Sequence, residues 1–239
     1  MYKKQKHHLT TDIREAPSYT VREAAFYLRI QLATLQSWVL GRRYPTSKGE
    51  GFFKPVIAIP SGKPPLLLSF TNLVEAHVLD AIRRKHRVPL DNVRSALQYL
   101  QREYPSRHPL ADQNFETDGL DLFIEKYGSL INISQEGQLA IKDLLKAYLS
   151  RIERDSDGLP IRLCPFTRKG HLEEPKAVVI DPQVSFGRPI LAGTGIATSM
   201  IAEGYKAGES IHELAEDYGR QTNEIEEAIR YELQLQEAA

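Results

Sequence analysis

The sequence predicts an α+β fold that is mostly α-helical, with helical regions at both ends and a small mixed region between them. Capping boxes, in which a Ser, Thr or Asn is followed three residues later by Glu, indicate helix starts at Thr20, Ser210 and Asn223. After each of them apolar residues recur every three or four positions, as they do on the buried face of a helix. Short apolar runs between proline-rich or glycine-rich turns predict a few short strands.

Two short helices are predicted in the first third of the chain. The first follows Thr20, and the second runs from about Leu32 to Leu40 and ends at Gly41. A connection as short as the one between them is typical of a helix-turn-helix.

Short strands are predicted in the first third and in the middle of the chain. They are residues 52–59, 66–70, 122–126, 130–133 and 159–166. The first two, joined by the proline-rich turn 60–65, would form a wing beside the helix-turn-helix. The next two would meet at the turn Tyr127-Gly128.

Further helices are expected in all three parts of the chain. They are residues 69–86, 89–104, 134–154, 198–207, 210–218 and 223–234. The predicted organisation is a basic N-terminal arm (1–16), a winged helix-turn-helix domain (17–110), a middle α/β region (111–175) and a helical C-terminal domain (176–239).

Charge is distributed unevenly along the chain, although the net charge is zero. Up to Asp112 there are eighteen Lys and Arg against nine Asp and Glu, and from Met200 onward there are three against ten. A polyanion would prefer the first half and a basic partner the last third. The single cysteine, Cys164, excludes an internal disulfide, and no signal peptide or membrane span is recognisable, so a cytoplasmic location is expected.

The second helix has the features of a DNA recognition helix. Its outward positions are small or polar, and basic residues follow it, so side chains would reach base edges while the flanking charges hold phosphates. The predicted DNA-binding residues are Thr34, Gln36, Ser37, Arg42, Arg43 and Lys63. Lys63 would lie at the tip of the wing, with Lys48 and Lys54 beside it. A helix-turn-helix used only for packing is the alternative.

The run Tyr19-Thr20-Val21-Arg22-Glu23-Ala24-Ala25-Phe26-Tyr27-Leu28, followed by Leu32-Ala33-Thr34-Leu35-Gln36-Ser37-Trp38, resembles the MerR-type winged helix. The resemblance covers about residues 17–104. It departs at Gln36, where the family usually has arginine, and at Arg29-Ile30, where a glycine turn is usual. Pro105 and Pro109 stop the chain where a MerR activator continues into a long dimerisation helix, which disfavours a small-molecule sensor.

The run from Val179 to Ile196, with Gly187-Arg188-Pro189-Ile190 and Gly193-Thr194-Gly195, is similar to the family called DUF433. Residues 205–214 match its helical part, and Gly195 stands where arginine is usual. Members are commonly antitoxins encoded beside PIN-type ribonucleases, and the pairing with a winged helix resembles the mycobacterial VapB antitoxins. The resemblance implies a PIN-domain (VapC-like) toxin, operator DNA and autoregulation; a MerR-like transcriptional regulator without a toxin is the alternative.

The last two helices also have helix-turn-helix spacing, but the second of them begins with Glu224, Glu226 and Glu227, which DNA phosphates would repel. A protein partner is therefore expected there. Arg188 and Arg220 are predicted to contact that partner, since arginine pairs well with the carboxylates of a nuclease. A homodimer is expected from the palindromic operators that such modules read, with the apolar stripes of the last helices as its interface or simply as a domain core.

No pattern of catalytic or metal-binding residues is recognisable in the sequence. The seven histidines lack metal-ligand spacing, and Cys164 has no evident histidine partner. The sequence therefore favours a protein that is not an enzyme and needs no cofactor or metal, with a concealed active site as a third hypothesis.

Overall fold

A computed structural model describes residues 12–46, 49–60, 64–84, 90–168 and 174–236. Its helices are α1 (Val21–Leu28), α2 (Leu32–Leu40), α3 (Phe70–Arg84), α4 (Leu90–Glu103), α5 (Leu120–Ile131), α6 (Gln135–Leu149), α7 (Thr198–Ala207), α8 (Ile211–Tyr218) and α9 (Thr222–Gln236). Its strands are β1 (Tyr19–Thr20), β2 (Arg42–Thr46), β3 (Gly49–Phe53), β4 (Leu67–Leu68), β5 (Ile152–Arg154), β6 (Pro160–Leu163), β7 (Val178–Ile180) and β8 (Pro189–Leu191). The mostly helical α+β fold is thus confirmed.

Two of the three predicted capping boxes form. Thr20 Oγ1 accepts a hydrogen bond from the Glu23 amide at the start of α1, and Ser210 does the same for Glu213 at the start of α8. The box predicted at Asn223 is wrong, because α9 begins one residue earlier, at Thr222, and the Gln221 amide donates to the Glu224 carboxylate.

The wing is a different hairpin from the predicted one. β2 pairs antiparallel with β3, while β4 pairs with β1. The predicted pairing of 52–59 with 66–70 was therefore wrong, although β3 overlaps the first of these segments and β4 lies within the second. The charged segment of the real wing lacks the apolar alternation that indicates a strand. Its pairing depends on Tyr44, whose ring stacks on Phe53 at 4.1 Å and leaves no room for a Cβ at Gly51.

The middle region is helical where a second hairpin was predicted. Residues 122–126 and 130–133 are not strands, because α5 runs through the predicted turn and buries Leu120, Phe123, Ile124 and Tyr127 at helical spacing. Gly128 lies inside this helix against the side chain of Gln138. The helix predicted from Ser134 to Arg154 ends earlier, at Leu149, and the chain turns into β5.

A four-stranded sheet in the order β5-β6-β7-β8 joins the middle region to the C-terminal segment. β6 and β7 pair through Leu163 and Ile180, so the sheet spans the chain on both sides of residue 175. The apolar faces of α7, α8 and α9 pack on each other around Ile201, Leu214 and Ile225. These stripes therefore mainly form the core of their own domain, and Met200 and Tyr205 of α7 are exposed.

Arg151 is the centre of a buried polar network behind this sheet. The residue is only 2% exposed. Its guanidinium donates to the carbonyls of Cys164 (2.9 Å), Pro165 (3.2 Å) and Glu174 (2.8 Å). The guanidinium also lies over the ring of Phe166 at 4.7 Å. The side chain thereby ties two other segments, residues 164–166 and the segment at Glu174, to the end of α6.

A second buried network holds the N-terminal segment on α3. His108 contacts the carboxylates of Glu75 (2.9 Å) and Glu15 (3.1 Å), and Thr71 donates to Glu15 at 2.5 Å. Burial lowers the pKa of His108, but the hydrogen bond and charge of Glu75 outweigh it and hold that pKa above the usual 6.5. Burial raises the pKa of the Glu75 carboxyl.

Stability is expected to fall as pH rises above neutrality because of this network. Both groups bind protons more tightly in the folded chain, so the stabilisation by His108 is complete below its unfolded pKa of about 6.5 and is lost as pH rises through its folded pKa. The free energy of unfolding, measured with urea between about pH 6 and 9, should decline less steeply for the double variant Glu75→Gln, His108→Gln, since loss of His108 alone would raise the pKa of Glu75 further. Parallel pH profiles for the two proteins would contradict this assignment.

Candidate functional site

The outward face of α2 carries the predicted recognition residues. Gln36 is exposed, and Thr34 and Ser37 are partly exposed. Leu35 and Trp38 are buried beneath them and anchor the helix on the N-terminal core. The structure therefore leaves the three polar side chains at least partly accessible on the side of α2 away from the core.

Two of the predicted phosphate contacts, Arg42 and Arg43, lie at the base of the wing. Gly41 ends α2, and Arg42 and Arg43 are the first two residues of β2, both exposed beside the helix. Arg43 pairs with Glu50 across the hairpin at 3.0 Å, and both side chains are largely solvated. Arg42 makes no ion pair within the described residues. Lys63 and Lys48 lie outside the described residues.

One basic residue at this surface escaped the sequence analysis. Arg94 on α4 donates to the carbonyl of Lys54, which directly follows the wing, and pairs with Asp91 on its own helix. Lys54 itself is exposed. The missed residue lies forty positions from its partner, so no local pattern indicates the contact.

The turn between α1 and α2 explains one departure from the MerR pattern. Arg29 adopts the left-handed conformation (φ 56°) that glycine usually supplies there. Its guanidinium lies 5.4 Å from the ring centroid of Tyr231 on α9 and donates to the Tyr231 carbonyl at 3.4 Å. Tyr231 Oη in turn donates to the Tyr27 carbonyl at 2.8 Å, so the C-terminal helix holds the turn of the helix-turn-helix.

The loop between β7 and β8 is tightly fixed. Arg162 donates to Asp181 at 2.9 Å, and the same carboxylate accepts the Gln183 amide at 2.9 Å. Ser185 Oγ donates to the Gly195 carbonyl at 2.9 Å and joins this loop to the one that precedes α7. A Cβ on Gly187 would lie 2.0 Å from Tyr19 Oη, so the loop also abuts β1.

The two predicted partner-binding arginines differ in availability. Arg220 donates to the Ala192 carbonyl at 3.3 Å and to Glu224 at 2.5 Å, so it is engaged within the fold. Arg188 is exposed at the end of the loop. The structure adds a residue that the sequence analysis missed: Phe186 is 94% exposed. An isolated phenylalanine in a sequence gives no signal that it will lie outside the core.

The acidic start of α9 is partly structural. Glu227 is buried and accepts hydrogen bonds from Thr167 and from the guanidinium groups of Arg168 and Arg230. Glu226 is exposed. The exposed acids therefore come mainly from α8 and the turns beside it.

Metal-binding clusters and membrane-spanning helices can be assessed in the part of the chain that the structure describes. There, no three His, Cys, Asp or Glu side chains are grouped so that they could hold a metal ion. Within the same ranges, every helix is too short or too polar to cross a membrane.

Family matches agree with the two ends of this fold. Residues 17–97 match the family described as "Putative DNA-binding HTH domain", and residues 178–231 match "Protein of unknown function (DUF433)". Together with the exposed α2 and its wing, they define a helix-turn-helix protein of the DNA-binding class that carries a C-terminal DUF433 domain.

Comparison with known proteins identifies the family. The chain is 30% identical over 234 residues to "Putative antitoxin VapB45" of Mycobacterium tuberculosis, with 90% of this chain and 93% of that protein covered. It is 25% identical over 229 residues to "Uncharacterized protein Rv2308" of the same organism, with 92% of each covered. The chain therefore belongs to the family of "Putative antitoxin VapB45", as the sequence predicts.

The fold is shared with a solved structure. The crystal structure of Rv2018 from Mycobacterium tuberculosis matches with a TM-score of 0.64 at 23% identity, covering 90% of this chain and 98% of that one. At this identity the match supports the architecture alone.

Proposed function

We propose that this protein is an antitoxin that neutralises a PIN-domain (VapC-like) ribonuclease and represses its own operon. The observation that carries the proposal is the nearly full-length similarity to "Putative antitoxin VapB45" in a chain with a helix-turn-helix at one end and a DUF433 domain at the other. Both activities require binding only, so the protein acts without catalysis. Co-purification of the full chain with the ribonuclease encoded beside it tests the pairing, and absence of a complex would contradict it.

The DNA-binding part of the proposal assigns residues 17–110 to the operator. On the exposed face of α2, Gln36 has the donor and acceptor that bond bidentately to adenine in the major groove. Thr34 and Ser37 flank it, while Arg42, Arg43 and Lys63 would hold phosphates. The excess of basic residues in this half of the chain supports a polyanionic ligand.

Replacing Arg42 and Arg43 together by Ala is expected to weaken binding to every DNA sequence. If each arginine neutralises one phosphate, the slope of log affinity against log salt concentration shrinks by about 0.9 per contact. Gln36→Ala should instead relax the preference at one base pair, by about 1–3 kcal/mol. Lys206→Ala, which removes an exposed basic side chain on α7 outside residues 17–110, is the control, and an unchanged gel-shift titration for the double variant would refute the assignment.

The toxin-binding part assigns residues 176–239 to the ribonuclease. A nuclease that attracts RNA presents basic groups around its metal-binding carboxylates, so an acidic domain would be steered to it. Arg188 is the better placed of the two predicted arginines to pair with a carboxylate, since Arg220 already has partners. The middle region, 111–175, would support this domain through the shared sheet.

We further propose that the operator is bound by a homodimer, because paired half-sites suit one module from each chain. Most apolar residues of α7 to α9 are buried in their own core, so these helices would supply only a small part of its interface, at Met200 and Tyr205. A light-scattering mass of one chain in the presence of operator DNA would contradict the dimer.

A further inference from the structure

The loop between β7 and β8 presents one aromatic side chain to solvent at a conformational cost. Ser185, Phe186 and Gly187 have φ values of 48°, 57° and 73°, which form a single left-handed turn. For residues with a Cβ this region is strained, and glycine is the residue that normally occupies it. Phe186 nevertheless occupies the centre of the turn, with 94% of its surface exposed.

The exposure of Phe186 means that its ring contributes nothing to the core that would offset this strain. Backbone strain that folding does not require is characteristic of sites that serve function. The turn is also held rigidly: the amides of Gly187 and Arg188 donate to the carbonyls of Val184 (2.9 Å) and Ser185 (3.1 Å). Because the loop is already ordered, a partner that receives the ring has little ordering entropy to overcome.

The surroundings of Phe186 favour a protein with a basic surface over a nucleic acid. The Ser185–Gly195 bond joins this loop to the loop before α7, and Arg220 joins that second loop to the turn between α8 and α9. The three segments therefore form one contiguous end of the domain. Residues 178–231 contain nine Asp and Glu against four Lys and Arg, and Glu216 and Asp217 near this end are exposed. Phosphates would be repelled from such a surface.

We propose that Phe186 is the anchor residue of the toxin interface, inserting into an apolar pocket of the ribonuclease while the surrounding acids meet its basic surface. This inference rests on the proposed function and names the contact that carries it. Exposed Phe186 would become fully desolvated in the complex, as aromatic anchors at the centres of interfaces are. Arg188, two residues away, would lie at the rim of the contact.

The test uses the full chain and the PIN-domain ribonuclease encoded beside it. Phe186→Ala is expected to weaken the complex by about 30-fold or more, the effect of losing an interface anchor. The matched control is Leu139→Ala on α6, which removes another exposed apolar side chain far from this loop in sequence and should leave affinity unchanged. Equal affinity of the Phe186→Ala variant and the unsubstituted chain would overturn the inference.

Phe186→Gly separates a binding role from a structural one. Glycine relieves the left-handed strain, so the melting temperature should be unchanged or higher, by up to about 4 °C, while the complex is lost. A lower melting temperature would show that the ring supports the fold and would overturn the inference. So would a loss of operator affinity or of dimer mass with ribonuclease binding intact, since the ring would then contact DNA or a second copy.

If the unsubstituted chain fails to bind the ribonuclease, the proposed function itself fails, and the inference fails with it. If the unsubstituted chain binds and Phe186→Ala binds equally well, the antitoxin function stands and only the anchor is refuted. The two failures are thus distinguishable in one binding titration with the unsubstituted chain measured first.

Discussion

Replacing Arg151 by Ala is expected to lower the free energy of unfolding by about 3–5 kcal/mol, the range for breaking a buried ion pair. The guanidinium satisfies the carbonyls of Cys164, Pro165 and Glu174, and it lies 3.8 Å from the buried Glu174 carboxylate. Its removal leaves these acceptors without a donor in a site from which water is excluded. Native domains are stable by only about 5–15 kcal/mol, so the loss would be visible in a urea titration.

Arg43→Ala is the matched control for this effect. Arg43 also forms an ion pair, with Glu50, but both side chains are largely solvated, so the change should cost less than about 1 kcal/mol. Arg151→Lys should recover little stability, because an ammonium group lacks the planar fork that reaches several carbonyls at once. Equal stability of the Arg151→Ala and Arg43→Ala proteins would contradict the role of this network.

The second large effect is expected for Trp38→Ala, which should lower the free energy of unfolding by about 3–5 kcal/mol. The residue is 1% exposed and anchors α2 on the N-terminal core. Its carbonyl also accepts the amides of Val56 (2.8 Å) and Ile57 (3.1 Å), so the position of the segment after the wing depends on it. The cavity left by the indole ring would displace the recognition helix, so operator affinity should fall together with stability.

Leu40→Ala, on the same helix, is the matched control, because it removes a partly exposed apolar side chain instead of a buried one. Leu40 is 39% exposed, so its truncation should change stability much less than that of Trp38. Thermal unfolding monitored by circular dichroism gives both values. If the two variants lost similar stability, Trp38 would not be the anchor of α2.

The sequence predicted best where a local rule decides the structure. The capping boxes at Thr20 and Ser210 determine helix starts through side chains only three residues apart, and both formed. The helical spacing after Ser210 and in α9 gave the C-terminal helices correctly. The predicted recognition residues Thr34, Gln36 and Ser37 lie outward because Leu35 and Trp38, on the same short helix, are buried.

The sequence predicted worst where distant contacts decide the structure. The wing was placed at the wrong hairpin because its pairing depends on Tyr44 packing over Gly51 rather than on alternating apolar residues. The segment around Tyr127-Gly128 resembled a turn, although tertiary packing keeps it helical. The exposure of Phe186 could not be predicted from the sequence. Its left-handed backbone conformation is held by hydrogen bonds within the loop, and no local pattern indicates them.

The left-handed Arg29 shows how the two ends of the chain depend on each other. A glycine is usual at this turn in the MerR pattern, and Arg29 is one of the residues at which this chain departs from it. The structure places the Arg29 side chain against Tyr231 of α9, so the residue that departs from the pattern connects the DNA-binding turn to the DUF433 domain. That contact spans about two hundred residues and has no local signature.

In the proposed function, this chain neutralises a ribonuclease by binding it. The most direct measurement is RNA cleavage by the PIN-domain ribonuclease encoded beside this chain, assayed with increasing amounts of the full-length protein. Cleavage is expected to fall to background near equimolar amounts and to return when Phe186→Ala replaces the unsubstituted protein at the same concentration. Undiminished cleavage in the presence of a molar excess of the unsubstituted chain would contradict the claim.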